Sequence, residues 1–203
     1  MYKEKANFFD GQIDAPWAND NYSSEELLKS DKIFKLCKIK QGSKIIEPGC
    51  GSGRLTMLMA ERCGDSGKIV AIDVSPGMIK KAKERLTGYN NVEVSCLSVE
   101  DAAFENGNYD AVICHQVFPH FEDKKAVLNK LVATLKTGGF FIISHFIGIE
   151  EINDVHRKSN SPVVNDIMPS NDEIKELFEA AGLELVLIED KEDCYNVLGR
   201  KKT

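Results

Sequence analysis

The chain has 203 residues, 42% hydrophobic and 29% charged, which is enough apolar material for a buried core under a solvated surface. A formal net charge of −6 argues against a nucleic-acid-binding face, and no apolar run approaches the ~20 residues of a membrane span. The six cysteines are scattered without a C-x-x-C pair and residues 1–20 carry no apolar signal core, so reduced thiols in a cytoplasm and a single domain over 1–203 are expected.

Residues 1–22 hold Phe8, Phe9, Trp17 and Tyr22 among polar residues, with Pro16 breaking any helix. Aromatic residues at that density do not suit a disordered tail, so the segment packs either as a strap on the core or as a lid over a pocket. Ser23-Ser24-Glu25-Glu26 carries helix-capping chemistry, Leu27, Leu28, Phe34 and Leu36 supply an apolar face, and Gln41-Gly42 ends the helix. A first strand at Ile45-Ile46 runs into Glu47-Pro48-Gly49-Cys50-Gly51-Ser52-Gly53, and a helical pattern from Leu55 to Arg62 follows at once. Glycines at such a turn adopt φ > 0 and let the backbone approach a ligand closely, beside the free N–H groups of a helix start. This is the signature of a nucleotide-type site at the end of a strand.

Lys68 to Val74 is the second strand and Ser75 to about Leu86 the helix after it, where Lys80, Lys81, Lys83 and Arg85 read as a solvated face. Val92, Val94 and Cys96 alternate as a third strand, and Asp110 to Cys114 forms a fourth after the turn residues Asn106-Gly107-Asn108. A helix from Asp123 to Leu135 is expected to end at Thr137-Gly138-Gly139, before a fully apolar fifth strand at Phe140 to Ser144. Near-continuous apolar strands alternating with helices predict a parallel sheet covered on both faces. Residues 147–169 contain Pro162 and Pro169 and fit neither period. A helix from Ser170 to Ala181 and strands at Leu183 to Ile188 and Tyr195 to Leu198 complete the chain.

Four motifs now stand in order: E-P-G-C-G-S-G after strand one, I-D-V-S after strand two, Y-D-A-V-I-C at strand four and L-K-T-G-G before strand five. This series resembles that of class I S-adenosylmethionine-dependent methyltransferases of the small-molecule type, closely over roughly residues 40 to 145. The resemblance implies an α/β fold, a Rossmann-like doubly wound sheet of seven strands in order 3-2-1-4-5-7-6, strand seven antiparallel, with helices on both faces. It further implies an N-terminal helical lid or strap over 1–41, a cofactor-binding core over 42–146, an insertion over the active site at 147–169, and a C-terminal helix with antiparallel strands at 170–203. The implied cofactor is S-adenosyl-L-methionine, and the implied product S-adenosyl-L-homocysteine.

The residues separate this cofactor from a dinucleotide. A dinucleotide loop wants G-x-G-x-x-G, and Arg54 stands where its third glycine would be. S-adenosylmethionine needs close backbone approach and acidic partners, which Gly49, Cys50, Gly51, Glu47 and Asp73 supply, with Asp73 on the ribose hydroxyls. By analogy Val74 and Met78 flank the adenine, although Met78 is equally readable as a core residue. Ser98 stands where the family usually has an aspartate reading the adenine amino group, with the Val99 N–H on the ring; Glu100 takes the role if the register shifts. Cys114 completes the cofactor-side candidates.

All four histidines lie after strand four. His115 and His120 follow that strand, His145 ends strand five and His156 sits in the irregular stretch. In an open α/β sheet the ligand crevice lies outside the carboxyl ends of the strands, so His115 and His145 are expected to face it, under an insertion carrying His156-Arg157-Lys158. Three readings of His115, His145 and His156 stand: polar lining, a general base, or a divalent-metal site joined by Asp154, Asp166 or Cys114. His120, opening a helix, reads first as packing. Arg157 and Lys158 read as solvated charges or as partners of an acceptor carboxylate. The absence of an N-P-P-Y-type tetrad and the acidic composition favour a small-molecule acceptor over nucleic acid, with the chain a monomer or homodimer and no membrane partner. Beside the enzyme stand a non-catalytic S-adenosylmethionine-binding sensor or partner module and, disfavoured by Arg54, an NAD-dependent oxidoreductase.

Overall fold

The computed structural model describes residues 2–202, which fall into two compact units, one ending at Ala102 and the other starting at Ala103. Seven strands form one sheet in the order β3-β2-β1-β4-β5-β7-β6, the order expected.

The first unit carries helices α1 (Lys3–Asp10), α2 (Pro16–Asn19) and α3 (Ser24–Leu36), followed by β1 (Lys44–Pro48), α4 (Arg54–Cys63), β2 (Lys68–Asp73), α5 (Pro76–Arg85) and β3 (Val92–Cys96). Pro16 begins a short helix instead of preventing one, because a proline at the first helical position gives up an N–H that had no partner anyway. The cap on α3 is a full capping box: the Glu26 N–H donates to Ser23 Oγ at 3.2 Å and the Ser23 N–H to Glu26 Oε2 at 2.8 Å. Its buried face differs from expectation. Ser30, Ile33, Phe34 and the cap residue Cys37 are buried at helical spacing, whereas Leu28 is 73% exposed and the helix stops at Leu36. The strands β1, β2 and β3 pair in parallel, Ile45 opposite Ile69 and Ala71 opposite Val94. Ile45, Ile46, Ile69 and Ala71 are fully buried, as strands covered on both faces should be.

The second unit carries β4 (Tyr109–His115), a 3-10 turn (Phe118–His120), α6 (Lys124–Thr134), β5 (Leu135–His145), α7 (Ile149–Lys158), α8 (Asn171–Ala180), β6 (Leu183–Lys191) and β7 (Cys194–Lys201). β4 and β5 are parallel, while β7 runs antiparallel to both β5 and β6. Thr137-Gly138-Gly139 is not a helix cap: α6 ends at Thr134, and the glycines lie in a bulge where the partner of β4 jumps from Leu135 to Phe140. The stretch 147–169, which fits no period, contains the ten-residue helix α7. Among the described residues no helix is long and apolar enough to cross a membrane.

Candidate functional site

The glycine loop is built on β1 and β2. Gly49, Gly51 and Gly53 all have positive φ, at 69°, 52° and 79°, a region that costs glycine nothing and other residues strain. The Cys50 N–H donates to the Ile72 carbonyl at 3.0 Å, folding the loop over the end of β2. There Asp73 receives the Gly51 N–H on Oδ2 and the Ser75 N–H on Oδ1, each at 2.9 Å. A Cβ on Gly51 would meet nothing within 4 Å, so the crest of the loop faces open space; at Gly53 it would lie 3.1 Å from Leu86, so there the loop is packed on α5.

Glu47, next to last in β1, is only 2% exposed and accepts the Thr56 hydroxyl at 2.5 Å. Burial pushes its carboxyl up to about 8, helped by the Asp73 charge and opposed by Thr56. Burial, with the carboxylates of Asp73 and Glu47, pushes the Cys50 thiol upward as well, which makes it a poor nucleophile.

Residues 2–22 pack on this loop and on α5. Asp10 Oδ1 accepts the Gly77 N–H at 2.8 Å and the Ser75 hydroxyl, so a carboxylate sits on the N-terminus of α5. Ser52 Oγ donates to the Ala18 carbonyl, and Arg85 reaches Asn19 O at 2.8 Å and Ser52 Oγ at 3.0 Å. Arg54, 4.0 Å over the Tyr22 ring, donates to Trp17 O and lies 3.4 Å from Glu26. The residue in place of the third dinucleotide glycine is thus the anchor of the N-terminal segment. Beside Tyr2 and Ala6, a cavity of about 300 Å³ is lined by Val74, Cys96, Leu97, Ser98 and Asp101.

Of the adenine-side candidates, Val74 and Ser98 line this cavity. The Ser98 hydroxyl is engaged with Asp101 Oδ2 at 2.8 Å, and Glu100 accepts the Tyr2 hydroxyl at 2.6 Å. Met78 is 1% exposed and Val99 4%, both within the core, and Cys114 is fully buried in β4.

The second unit gathers the histidines. His115 and His145 end β4 and β5, with 7% and 6% exposure. The His115 ring lies 4.5 Å from that of Phe146, and the His120 and His156 rings meet edge to face at 5.0 Å. His120 Nδ1 is 2.8 Å from Asp166 Oδ2. Burial holds the His145 imidazole well below its ordinary range, and His115, His120 and His156 add to the effect, so it stays neutral at pH 7. Its Nε2 is buried without a hydrogen-bond partner among the described residues. No group of three or more His, Cys, Asp or Glu among the described residues is arranged to hold a metal ion. Arg157 and Lys158 point to Asp154, at 3.9 and 2.6 Å, and are exposed. Two features escaped sequence reasoning: the role of Arg54 and the pairing of His120 with Asp166. The first carries no local signal; for the second, the run Phe118-Pro119-His120-Phe121 after β4 is the only hint.

The family described as "Methyltransferase domain" matches residues 39–182. Malonyl-[acyl-carrier protein] O-methyltransferase of Acetivibrio thermocellus is 36% identical over 63% of this chain and 44% of its own length, so the chain spans about half of that relative. Demethylmenaquinone methyltransferase of Bacillus pumilus is 25% identical over 75% of this chain and 76% of its own. The N-methyltransferase NodS from Bradyrhizobium japonicum, solved with S-adenosyl-L-homocysteine, has the same fold, with a TM-score of 0.75 at 18% identity over 99% of this chain and 100% of its own. With the family match spanning most of the chain, including the glycine loop, β4 and β5, this chain belongs to the methyltransferase domain family.

Proposed function

We propose that the protein transfers a methyl group from S-adenosyl-L-methionine to a small-molecule acceptor, releasing S-adenosyl-L-homocysteine. The observation that carries the reading is the Asp73 carboxylate at the end of β2, beside an open glycine crest and a buried acid at Glu47. The donor set suits the cofactor: Asp73 the ribose hydroxyls, Glu47 the cationic amino-acid end, and the cavity at Val74 and Ser98 the adenine. Bound there, the cofactor supplies an electrophilic methyl on a positive sulfur. Around it the chain's own residues bind, orient and exclude water.

On the acceptor side, His115 and His145 stand at the carboxyl ends of two parallel strands, where open α/β sheets bind ligands, and His156 is drawn in beside His120. The buried His145 imidazole, held below its ordinary range, favours lining and hydrogen bonding to an acceptor. Six free cysteines agree with a reducing, cytoplasmic setting for a monomer or homodimer.

Calorimetric titration with S-adenosylhomocysteine tests the reading, with micromolar binding expected. Asp73→Ala should weaken S-adenosylmethionine and S-adenosylhomocysteine alike, by about 10- to 100-fold for the loss of a charged hydrogen-bond acceptor. A loss confined to the former removes Asp73 from the ribose, and no binding by the unaltered chain removes the methyltransferase reading.

A further inference from the structure

The turn after β3 carries two acids with different partners. Glu100 accepts the Tyr2 hydroxyl at 2.6 Å. Asp101 Oδ2 accepts the Ser98 hydroxyl at 2.8 Å, and the Asp101 N–H donates back to Ser98 Oγ at 3.1 Å. The second of these bonds is ordinary turn chemistry, and with the Ala102 N–H on the Ser98 carbonyl at 3.0 Å it closes the turn by itself. The first is not needed for that. In the two capping boxes of this chain the acid three residues on accepts the serine backbone N–H, at 2.8 Å from both Ser23 and Ser170. Asp101, one methylene shorter than glutamate, takes the Ser98 hydroxyl proton instead.

A serine hydroxyl has one donor and two acceptor positions. At Ser98 the donor is spent on Asp101 Oδ2 and one acceptor position on the Asp101 N–H, which leaves a single lone pair. Asp101 Oδ1 has no hydrogen-bond partner among the described residues. Both residues line the cavity of about 300 Å³, together with Val74, Cys96 and Leu97. The Cys96 thiol is turned to the Val74 carbonyl at 3.7 Å, and Lys3 is an exposed cation on the α1 side. After β3, then, the cavity wall offers oxygen acceptors between apolar side chains, which fits a ligand with apolar faces and an N–H edge.

We propose that Ser98 and Asp101 together read the exocyclic amino group of the cofactor's adenine, with Asp101 as the specificity-determining residue. The inference rests on the methyl-transfer reading above. By holding the hydroxyl proton, Asp101 makes the Ser98 oxygen meet the base as an acceptor, and its charge strengthens that acceptor through the shared hydrogen bond. A 6-amino purine donates an N–H to this oxygen. A 6-oxo purine brings a carbonyl oxygen to the same place, and two acceptors then face one another with neither satisfied. Glu100, held by Tyr2, takes no part.

The test compares S-adenosylhomocysteine with its 6-oxo counterpart, S-inosylhomocysteine, by calorimetric titration of the full chain. The unaltered chain should prefer the 6-amino ligand by about 100-fold, the scale of loss when a polar site meets an analogue that leaves it unpaired. Asp101→Ala releases the Ser98 hydroxyl to donate to the 6-oxo group. S-adenosylhomocysteine should then weaken about 10-fold while S-inosylhomocysteine does not weaken, so the preference falls to about 10-fold or less. A role confined to the turn would weaken both ligands equally. Ser98→Asp combined with Asp101→Ala supplies the carboxylate directly and should restore the preference. Equal losses for both ligands in Asp101→Ala overturn the proposal. So does an unaltered chain that binds S-adenosylhomocysteine with no preference over the 6-oxo ligand. Failure of the unaltered chain to bind S-adenosylhomocysteine instead removes the underlying methyl-transfer reading.

Discussion

At Glu47 the residue's identity was legible and its protonation was not. An acid at the end of β1 reads directly from the motif, but a carboxyl pushed up to about 8 depends on 2% exposure and on Asp73, contributed by a different strand. At pH 7 that carboxyl holds a proton in the folded protein. The ammonium of the cofactor's amino-acid end favours the carboxylate, so cofactor binding should expel the proton. S-adenosylhomocysteine affinity is then expected to rise between pH 6 and 8, by up to about tenfold per unit. The binding enthalpy should also differ between phosphate and Tris by a fraction of their difference in ionisation enthalpy, and Glu47→Gln should abolish both effects. Identical enthalpies in the two buffers would mean that Glu47 is already ionised or lies away from the cofactor. Asp166 shows the opposite limit of legibility: its residue type suited several roles, and only the folded chain pairs it with His120.

Elements whose signals are local were readable, and those set by distant chain were not. The capping boxes of α3 and α8 are written in four consecutive residues each, Ser23 to Glu26 and Ser170 to Glu173. Ser170→Ala should therefore cost about 1 kcal/mol in urea unfolding. Helix α7 is held differently. Ile152 is its one buried residue, Val155 is 54% exposed, and its start is fixed from the β6–β7 hairpin: the Ile149 N–H donates to Asp190 Oδ1 and the Gly148 N–H to the Glu192 carbonyl, both at 3.1 Å. Gly148 has an ordinary φ of −74°, so its requirement is space, not conformation. A Cβ there would come within 2.4 Å of the Lys191 carbonyl oxygen, a backbone atom that cannot rotate away. Gly148→Ala is expected to cost about 1–3 kcal/mol by overpacking. A change under a few tenths would show that the hairpin yields freely and that α7 is not seated as described.

For the molecule as a whole, alternating strands and helices predict a covered parallel sheet, while the strand order comes from the resemblance to class I methyltransferases and is the order observed. The division at Ala102 and Ala103 has no composition shift to mark it, yet it separates two groups whose pH responses oppose one another. Glu47 lies in the first unit with its folded pKa raised to about 8. Between an unfolded value of about 4.3 and that value the folded state binds the extra proton, so its contribution to stability is complete at low pH and fades as pH climbs through 8. His145 lies in the second unit with its folded pKa lowered. Below an unfolded value of about 6.5 the unfolded state binds the extra proton, so its contribution is complete above 6.5 and is lost on acidification. Each slope has a ceiling of about 1.4 kcal/mol per pH unit. Taking the cofactor-free protein from pH 7 to pH 5.5 should raise the opening free energy of β1 and α4 by up to about 2 kcal/mol and lower that of β5 and β7. Native-state hydrogen exchange, corrected for the intrinsic pH dependence of the amides, reads the two units separately. Glu47→Gln should remove only the first trend and His145→Gln only the second. Parallel shifts in both units on acidification would mean that other titrations dominate and that neither buried group carries the charge state assigned to it.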